Sequence, residues 1–165
     1  MDPRRLLPIL VGLTVLAVLG TAALVALRRS SVEPAPWPVA ATGDGPRAVL
    51  AGWDSRRARA WADGDVEGLR DLYVPGSRTG RADVRMLTSY VDRGLTVQGL
   101  ETQVLALAVV DVSTQVVDVR VTDRVSGAEA VDGRTVIPLP DDRPSTRRVV
   151  LRLVEGEWLV DEVRE

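Results

Sequence analysis

The feature that most constrains this chain is an uninterrupted apolar run near its amino terminus. The run begins at Leu6, ends at Leu27 and contains no charged side chain over its 22 residues. As an α-helix it measures about 33 Å, enough to cross a hydrocarbon core of roughly 30 Å. It is also longer than the apolar core of a typical cleaved signal peptide. We therefore predict a single transmembrane signal anchor over residues 1–29.

The residues around this run predict its orientation. Two arginines lie on each side, and the free amino terminus adds one positive charge to the amino-terminal flank. Positive flanks are retained in the cytoplasm, so we expect a single-pass protein of the cytoplasmic membrane whose C-terminal domain is extracytoplasmic. Residues 30–45 then form a linker, in which the alternating Pro34, Pro36 and Pro38 favour an extended, semi-rigid chain.

The residue types that the chain lacks exclude several kinds of chemistry. Its 165 residues contain no Cys, His, Lys, Asn or Phe, and all 21 basic residues are arginines. This excludes disulfides, thiolate or histidine metal sites, a Ser–His–Asp triad and a lysine Schiff base. The net charge of −2 argues against binding a nucleic-acid backbone. We predict no metal and no cofactor, and the all-arginine, Ala- and Val-rich composition is typical of a high-GC bacterial genome.

Beyond the linker, residues 46–165 change from a helical to a strand-like pattern. Pro46 suits the first position of a helix that ends near Gly64. A short second helix should contain Val66, Leu69, Leu72 and Tyr73, and a third should span about 81–93. The apolar period then becomes two, which predicts strands over about 96–110, 114–125, 127–138, 146–154 and 157–164, with a tight turn at Glu155–Gly156. Helices first and strands last predict an α+β domain of three helices packed on a curved, mainly antiparallel sheet of about five strands.

Several of these residues resemble the nuclear-transport-factor-2-like superfamily, a cone-shaped α+β fold that includes the SnoaL-like proteins. The resemblance spans roughly residues 46–164 and rests on two motifs: Ala60–Asp65 with the helix ending in Tyr73, and the closing hairpin with Trp158 just after its turn. It implies a cone that either holds an apolar pocket with acid and base side chains or is filled by its own side chains. The chain also resembles small proteins of high-GC bacteria in which one membrane helix carries such a domain outside the membrane.

Two charged residues are candidates for a site inside the cone. By strand parity Asp123 shares the core face with Val117, Val119 and Val121, where burial would raise its pKa and suit it for general acid or base catalysis. The alternative is a strand-end carboxylate that reaches solvent or pairs with Arg124 or Arg147. Arg147 shares the core-face parity of the fourth strand, so it either pairs with an inward acid, contacts an anionic ligand, or keeps its head in water.

Aromatic residues on the helices are the other candidates. Trp53, Tyr73 and Tyr90 lie on apolar helical faces with Trp61, so they either line a pocket for a hydrophobic ligand or simply pack in the core. The arginines of the first helix either form a solvated face or touch anionic headgroups.

These observations lead to three hypotheses. The favoured one is a non-catalytic, membrane-anchored accessory domain of the cell envelope, which binds an envelope protein or forms a homodimer through its exposed sheet face. The second is a binder of a small hydrophobic ligand. The third is a SnoaL-like lyase or isomerase that uses Asp123, which the absence of the His and Asn often found in such pockets makes less favoured.

Overall fold

A computed structural model describes residues 45–165 of the chain. The predicted anchor over residues 1–29, and the linker as far as residue 44, lie outside the described residues. Within residues 45–165, none of the helices has the length and apolarity needed to cross a membrane.

Three helices open the described part: α1 Pro46–Asp63, α2 Val66–Arg70 and α3 Arg78–Val91. Helix α1 begins at the predicted proline and ends at Asp63, where Gly64, with a left-handed φ of 67°, caps it. Helix α2 is shorter than predicted, so Leu72 and Tyr73 lie beyond it. Helix α3 begins three residues before the predicted start, because the Ser77 side chain accepts a hydrogen bond from the Gly80 N–H and caps the first turn.

Seven strands follow, where five were predicted. They form a four-stranded antiparallel sheet in the order β2-β3-β6-β7 and a three-stranded one in the order β1-β4-β5. The bounds are β1 Thr96–Gln98, β2 Glu101–Val112, β3 Val116–Ser126, β4 Glu129–Val131, β5 Val136–Pro138, β6 Ser145–Val154 and β7 Glu157–Arg164. The two closing strands, β6 and β7, lie close to their predicted bounds.

The first predicted strand is divided by a bend at two facing glycines. Gln98 pairs with Glu129 and Glu101 pairs with Ser126, so the register is the same on both sides of the bend, and β1–β2 and β3–β4 form one long hairpin. Between these pairs, Gly99 and Gly127 have φ values of 66° and 69°. A Cβ atom on Gly99 would lie 2.6 Å from the Gly127 carbonyl oxygen, so only glycine permits this approach. The bend gives the sheet its curvature and separates the four-stranded sheet from the three-stranded one.

The helices cover the concave side of the four-stranded sheet, with α1 against β1, β2 and β7, and α3 against β1 and β7. The core between them consists of inward side chains of the strands and the apolar faces of the helices. Its most deeply buried members are Leu69, Leu87, Val97, Val119, Val121, Leu151 and Val160. The fold is therefore α+β with three helices on a curved antiparallel sheet, as the sequence predicted.

The two edges of the four-stranded sheet differ. On the outer side of β7, the Val160 N–H donates to the Leu72 carbonyl and the Val160 carbonyl accepts from the Val74 N–H, both at 3.0 Å. Strand β2 pairs only with β3 among the described residues, and none of the described backbone hydrogen bonds covers its other side. One edge is therefore capped by the chain itself and the other is bare within residues 45–165.

Candidate functional site

The two charged residues predicted for the inside of the cone lie side by side. Asp123 is 5% exposed at the end of the apolar row on β3, and Arg147 lies on the neighbouring strand β6, opposite Val121. Arg147 donates from Nε at 3.1 Å and from Nη2 at 2.7 Å, both to Oδ1 of Asp123. Of the alternatives left open by the sequence, the structure therefore selects the ion pair with Arg147.

A second carboxyl group, Asp54 of α1, faces this ion pair. It is partly buried, and this burial raises its pKa from 3.8 to about 6. The negative charge of Asp123 acts in the same direction, whereas the positive charges of Arg57 and Arg147 act against it. Asp54 therefore loses its proton in a pH range in which most aspartates are already ionised.

The loop after β5 adds a third carboxyl group. The Asp142 N–H donates to the Val125 carbonyl at 2.9 Å, which folds the loop back over the end of β3. Burial raises the pKa of Asp142, and the neighbouring charge of Arg147 opposes that shift. We call Asp54, Asp123, Asp142 and Arg147 the acidic cluster; it contains three carboxyl groups and one arginine. In the part of the chain that the structure describes, no group of three His, Cys, Asp or Glu side chains is arranged to hold a metal ion.

The predicted aromatic residues form two separate pairs. Trp53 and Tyr73 meet edge to face, with ring centroids 5.4 Å apart, and the Trp53 indole N–H donates to the Leu72 carbonyl at 2.8 Å. Tyr90 packs in the same manner on Trp61 at 5.6 Å. All four rings are buried. The structure brings Asp123 together with Arg147 and Trp53 together with Tyr73, while Tyr90 lies in the other pair with Trp61.

A second buried carboxylate, Asp83 on α3, closes a network that the sequence analysis missed. Arg57 donates to both of its oxygens, at 2.7 and 2.8 Å, and the Tyr73 hydroxyl donates to Oδ2 at 2.6 Å. Burial alone would raise the pKa of Asp83, but the charge and hydrogen bonds of Arg57 hold it below its usual value. Burial and the adjacent carboxylate raise the pKa of Tyr73. We call Asp83, Arg57 and Tyr73 the closed triad.

Another arginine of α1 also has a structural partner. Arg56 forms an ion pair with Glu157 and donates to the Trp158 carbonyl at 2.9 Å, which ties α1 to the closing hairpin. The expectation of a solvated basic face is therefore wrong for Arg56 and Arg57, because both reach carboxylates on other elements. The indole N–H of Trp61 lies near Asp83 and lowers the pKa of that carboxyl, yet it makes no hydrogen bond of standard geometry.

The helical period of the sequence indicates both carboxylates that the sequence analysis did not select, Asp54 and Asp83. Asp54 lies four residues after Leu50 and three before Arg57, within the stripe that α1 turns toward the sheet. Asp83 precedes Leu87 by four residues and Tyr90 by seven, within the apolar stripe of α3. A carboxylate inside an apolar stripe is expected to have a partner, because burying an unpaired charge is expensive.

An open groove of about 560 Å³ lies on the outer surface of the helices. It contains none of the predicted site residues. Its lining comes from α2, α3 and the residues just after α3: Arg70, Val84, Arg85, Thr88, Ser89, Asp92 and Arg93.

Comparison with known proteins finds similar solved structures, all of them distant in sequence. No family model and no curated protein matches the chain. Among solved structures, it is similar to Aln2 from a Streptomyces species, with a TM-score of 0.49 and 12% identity over 72% of this chain and 87% of that one. It is also similar to an NTF-2 like protein of unknown function from Shewanella oneidensis, with a TM-score of 0.48 and 11% identity over 72% of this chain and 97% of that one.

A third similar structure is the intermembrane space region of the chloroplast protein ARC6, with a TM-score of 0.47 and 17% identity over 73% of this chain and 95% of that one. A structure described as an NTF-2 like protein is thus among those to which this chain is similar. Such distant likenesses carry no information on activity, so the function is argued from the residues alone.

Proposed function

We propose that residues 46–165 form a non-catalytic interaction domain, which the predicted anchor holds at the outer face of the cytoplasmic membrane. One observation supports this proposal above all. Asp123, the residue expected to act as an acid or base, and Tyr73, one of the residues expected to line a pocket, both make polar contacts with other side chains of the domain. Asp123 accepts two hydrogen bonds from Arg147, and Tyr73 donates to Asp83.

These contacts leave little capacity for proton transfer. A general base must reach a substrate proton with a free lone pair and a pKa near the working pH. The Tyr73 hydroxyl is buried, its proton is directed at a carboxylate, and its pKa is raised, so it is a poor base. Asp123 is 5% exposed, and its Oδ1 is already paired with Arg147.

The packing of the interior also supports a non-catalytic function. The side chains that point from the strands toward the helices, such as Val119, Val121 and Leu151, are fully buried and pack against Leu69 and Leu87. A domain whose core is filled by its own side chains presents its surface, rather than a pocket, to other molecules. The missing His, Cys and Lys residues favour the same function.

The location is tested by topology reporters fused to the C-terminus of the full chain. We expect an alkaline phosphatase fusion to be active and a green fluorescent protein fusion exported through the same pathway to be dark. The opposite pair of results would place the domain in the cytoplasm and contradict the proposal.

The interaction is tested with a photoreactive amino acid at the exposed Ile137, in cells that express the chain with or without Asp123→Asn. We expect the same discrete protein adduct in both backgrounds, because the surface and not the carboxylate carries the interaction. An adduct to small molecules only, or one abolished by Asp123→Asn in a folded variant, would favour the ligand or enzyme hypothesis.

One observation favours a second candidate, the binding of a small ligand. Asp54 is a partly buried carboxyl group with a pKa of about 6, and it faces Arg147 beside an ion pair that does not include it. Native mass spectrometry of the full chain, released from detergent, tests this candidate. A co-purifying small molecule that Asp54→Asn removes, and that Asp63→Asn on the exposed end of the same helix retains, would establish it.

A further inference from the structure

The outward side of helix α3 carries a row of arginines. Arg78, Arg81 and Arg85 follow one another at intervals of three and four residues, and Arg93, just past the end of the helix, comes eight residues after Arg85. With 3.6 residues per turn, these intervals place all four on one side of the helix axis. All four are exposed and extend over about 22 Å, with the exposed Ser89 between the last two. We call these four residues the arginine row.

The arginine row differs from other arginines of the domain in its partners. Within the described residues seven arginines form ion pairs with carboxylates, and no member of the row is among them. Arg81 instead donates to the Gly76 carbonyl at 2.7 Å, and Arg93 donates to the Ser89 carbonyl at 2.6 Å. These backbone carbonyls orient two of the guanidinium groups, but they do not neutralise the positive charge.

The positive charge of the row contrasts with the domain that carries it. Residues 45–165 contain 17 arginines and 20 acidic residues, so the domain as a whole is acidic. Helix α3 holds one carboxylate, Asp83, which is buried and bound by Arg57. Asp92, one residue past the helix, is exposed beside the row. A concentration of positive charge on one face of an acidic domain turns that face toward a negatively charged surface.

The open groove on the outer surface of the helices lies along the same face. Arg85 and Arg93 line it on one side, and Arg70 at the end of α2 lines it on the other. Its lining thus holds three arginines and one carboxylate, Asp92. Because Arg70 is paired with Glu67, the charge that is not neutralised belongs to the two members of the row. Guanidinium groups bind phosphate through two parallel N–H donors, so the groove offers a phosphate group a recess at this end of the row.

The predicted anchor indicates which anionic surface lies within reach. It holds the domain at a membrane, and the linker over residues 30–45 spans up to about 50 Å when extended, so α3 can turn toward the bilayer. A bilayer is flat and presents many phosphate groups side by side. Such a surface fits a straight row of separate guanidinium groups, each of which adds to the attraction. The acidic remainder of the domain argues against a nucleic acid as the partner.

We propose that the arginine row, with the groove beside it, binds the phosphate groups of anionic phospholipids in the membrane that the predicted anchor crosses. This inference goes beyond the proposed function, which concerns a protein partner, and it rests on that function only for the membrane location. The sequence analysis considered headgroup contacts for the arginines of α1. The structure favours α3 instead, because Arg56 and Arg57 of α1 are held by carboxylates of the domain.

The test measures how close α3 comes to the headgroups in lipid nanodiscs that hold the full chain. Because the natural chain has no cysteine, Ala82→Cys, exposed on α3 between Arg81 and Arg85, takes a single fluorescent label. Ala108→Cys, exposed on β2 opposite the outward Arg120, takes the label in the reference protein. Quenching by a lipid with a spin-labelled headgroup, which acts at short range, is compared in discs of phosphatidylcholine with and without phosphatidylglycerol.

We expect quenching at position 82 to rise severalfold when phosphatidylglycerol is present, and quenching at position 108 to stay low in both discs. Salt at 1 M should remove the difference, because it shortens the Debye length to about 3 Å. Arg78→Gln combined with Arg85→Gln should lower the ratio of docked to undocked domains by about tenfold or more, since each arginine near an anionic bilayer strengthens attachment about fivefold. Arg120→Gln combined with Arg143→Gln removes the same charge from other exposed positions and should leave the ratio unchanged.

Equal quenching at positions 82 and 108, or equal quenching at position 82 in the two kinds of disc, would overturn the proposal. If, in addition, inorganic phosphate changes the emission of the label at position 82, the groove takes a free anion and not a lipid. If a photoreactive residue at position 82 instead forms protein adducts in cells, the row belongs to a protein partner. All of these results leave the proposed function standing, which is tested separately by the topology reporters and by the adduct at Ile137.

Discussion

The closed triad and the acidic cluster show how burial and neighbouring charges act together on carboxyl groups in a small domain. In the closed triad, Asp83 has one arginine and one tyrosine hydroxyl, and its pKa is lowered. In the acidic cluster one arginine lies among three carboxyl groups, and partial burial together with the charge of Asp123 raises the pKa of Asp54 to about 6. Both sites use residues of α1 against other elements. The first site stabilises the fold, whereas the second retains a group that can still exchange a proton.

The largest expected effect comes from opening the closed triad. Asp83→Ala leaves the Arg57 guanidinium partly buried without its carboxylate, and breaking such a pair costs about 3–5 kcal/mol. The free energy of unfolding of the detergent-solubilised full chain in urea, followed by tryptophan near-ultraviolet dichroism, measures this loss. Asp83→Asn keeps an acceptor for Tyr73 and should lose less; equal stability of Asp83→Ala and the wild type would contradict the structural role of the triad.

A smaller effect is expected from crowding the triad without removing a charge. A Cβ atom on Gly80 would lie 2.5 Å from Cγ of Tyr73, so Gly80→Ala must displace the ring and should cost about 1–3 kcal/mol. Gly52→Ala is the matched control, because Gly52 lies in α1 with open space around it and alanine favours a helix. The same urea titration should therefore show opposite signs for the two variants. A stabilised Gly80→Ala would mean that Tyr73 does not pack as described.

The ion pair of the acidic cluster should matter less than the triad. Arg147 is about one-third exposed, so water replaces part of its contact with Asp123 when it is lost. We expect Arg147→Gln to cost about 1–2 kcal/mol, less than Asp83→Ala. Arg120→Gln, on the exposed outer face of β3, serves as the control and should be nearly neutral. A loss larger than that of Asp83→Ala would reverse the proposed order of the two sites.

The smallest and most diagnostic effect is a difference in pH dependence. The pKa of Asp54 is higher in the folded chain than its ordinary value of 3.8, so the folded state keeps the proton of Asp54 to a higher pH than the unfolded state does. The stability that this proton contributes is therefore lost as the pH rises from about 4 to 6. The full shift corresponds to about 3 kcal/mol by pH 7, and the partial exposure of Asp54 to solvent reduces the gain expected for Asp54→Asn, which removes this slope, to about 1 kcal/mol.

The lowered pKa of Asp83 has the opposite sign. Its contribution is present above its ordinary pKa and disappears as the pH falls through its lower folded value. Urea midpoints measured from pH 3 to 7 on the wild type, Asp54→Asn and Asp83→Asn separate the two effects. Identical pH profiles for the wild type and Asp54→Asn would show that Asp54 titrates normally.

Much of the fold could be predicted because the relevant signals are local. Proline at the start of α1, the capping side chain of Asp65 and the turn at Glu155–Gly156, with φ values of 52° and 89°, act within a few residues. The alternation of apolar residues in β3 and β6 likewise identified the core face and the inward position of Asp123. These features depend on backbone geometry and side-chain period, which the sequence displays directly.

The features that the sequence did not predict depend on partners that are distant in sequence. The bend at Gly99 arises because Gly127 approaches it from the neighbouring strand, so the pattern over 96–110 predicts one strand. Arg57 is 26 residues from Asp83, and its pattern indicates part of a basic helical face until α3 packs against α1. Asp54 looks like a charge that dilutes that face, although its spacing from Leu50 and Arg57 places it toward the sheet.

The sequence by itself determined the order of helices and strands, the apolar core faces and the residue types with which any chemistry would have to work. It also predicts the membrane anchor and the linker. Only the tertiary structure decided which charges neutralise one another, which sheet edge is capped and which carboxyl group keeps a raised pKa. The physical reason is that periodicity and capping are set by neighbours along the chain, whereas ion pairing, burial and edge protection depend on which elements meet in space.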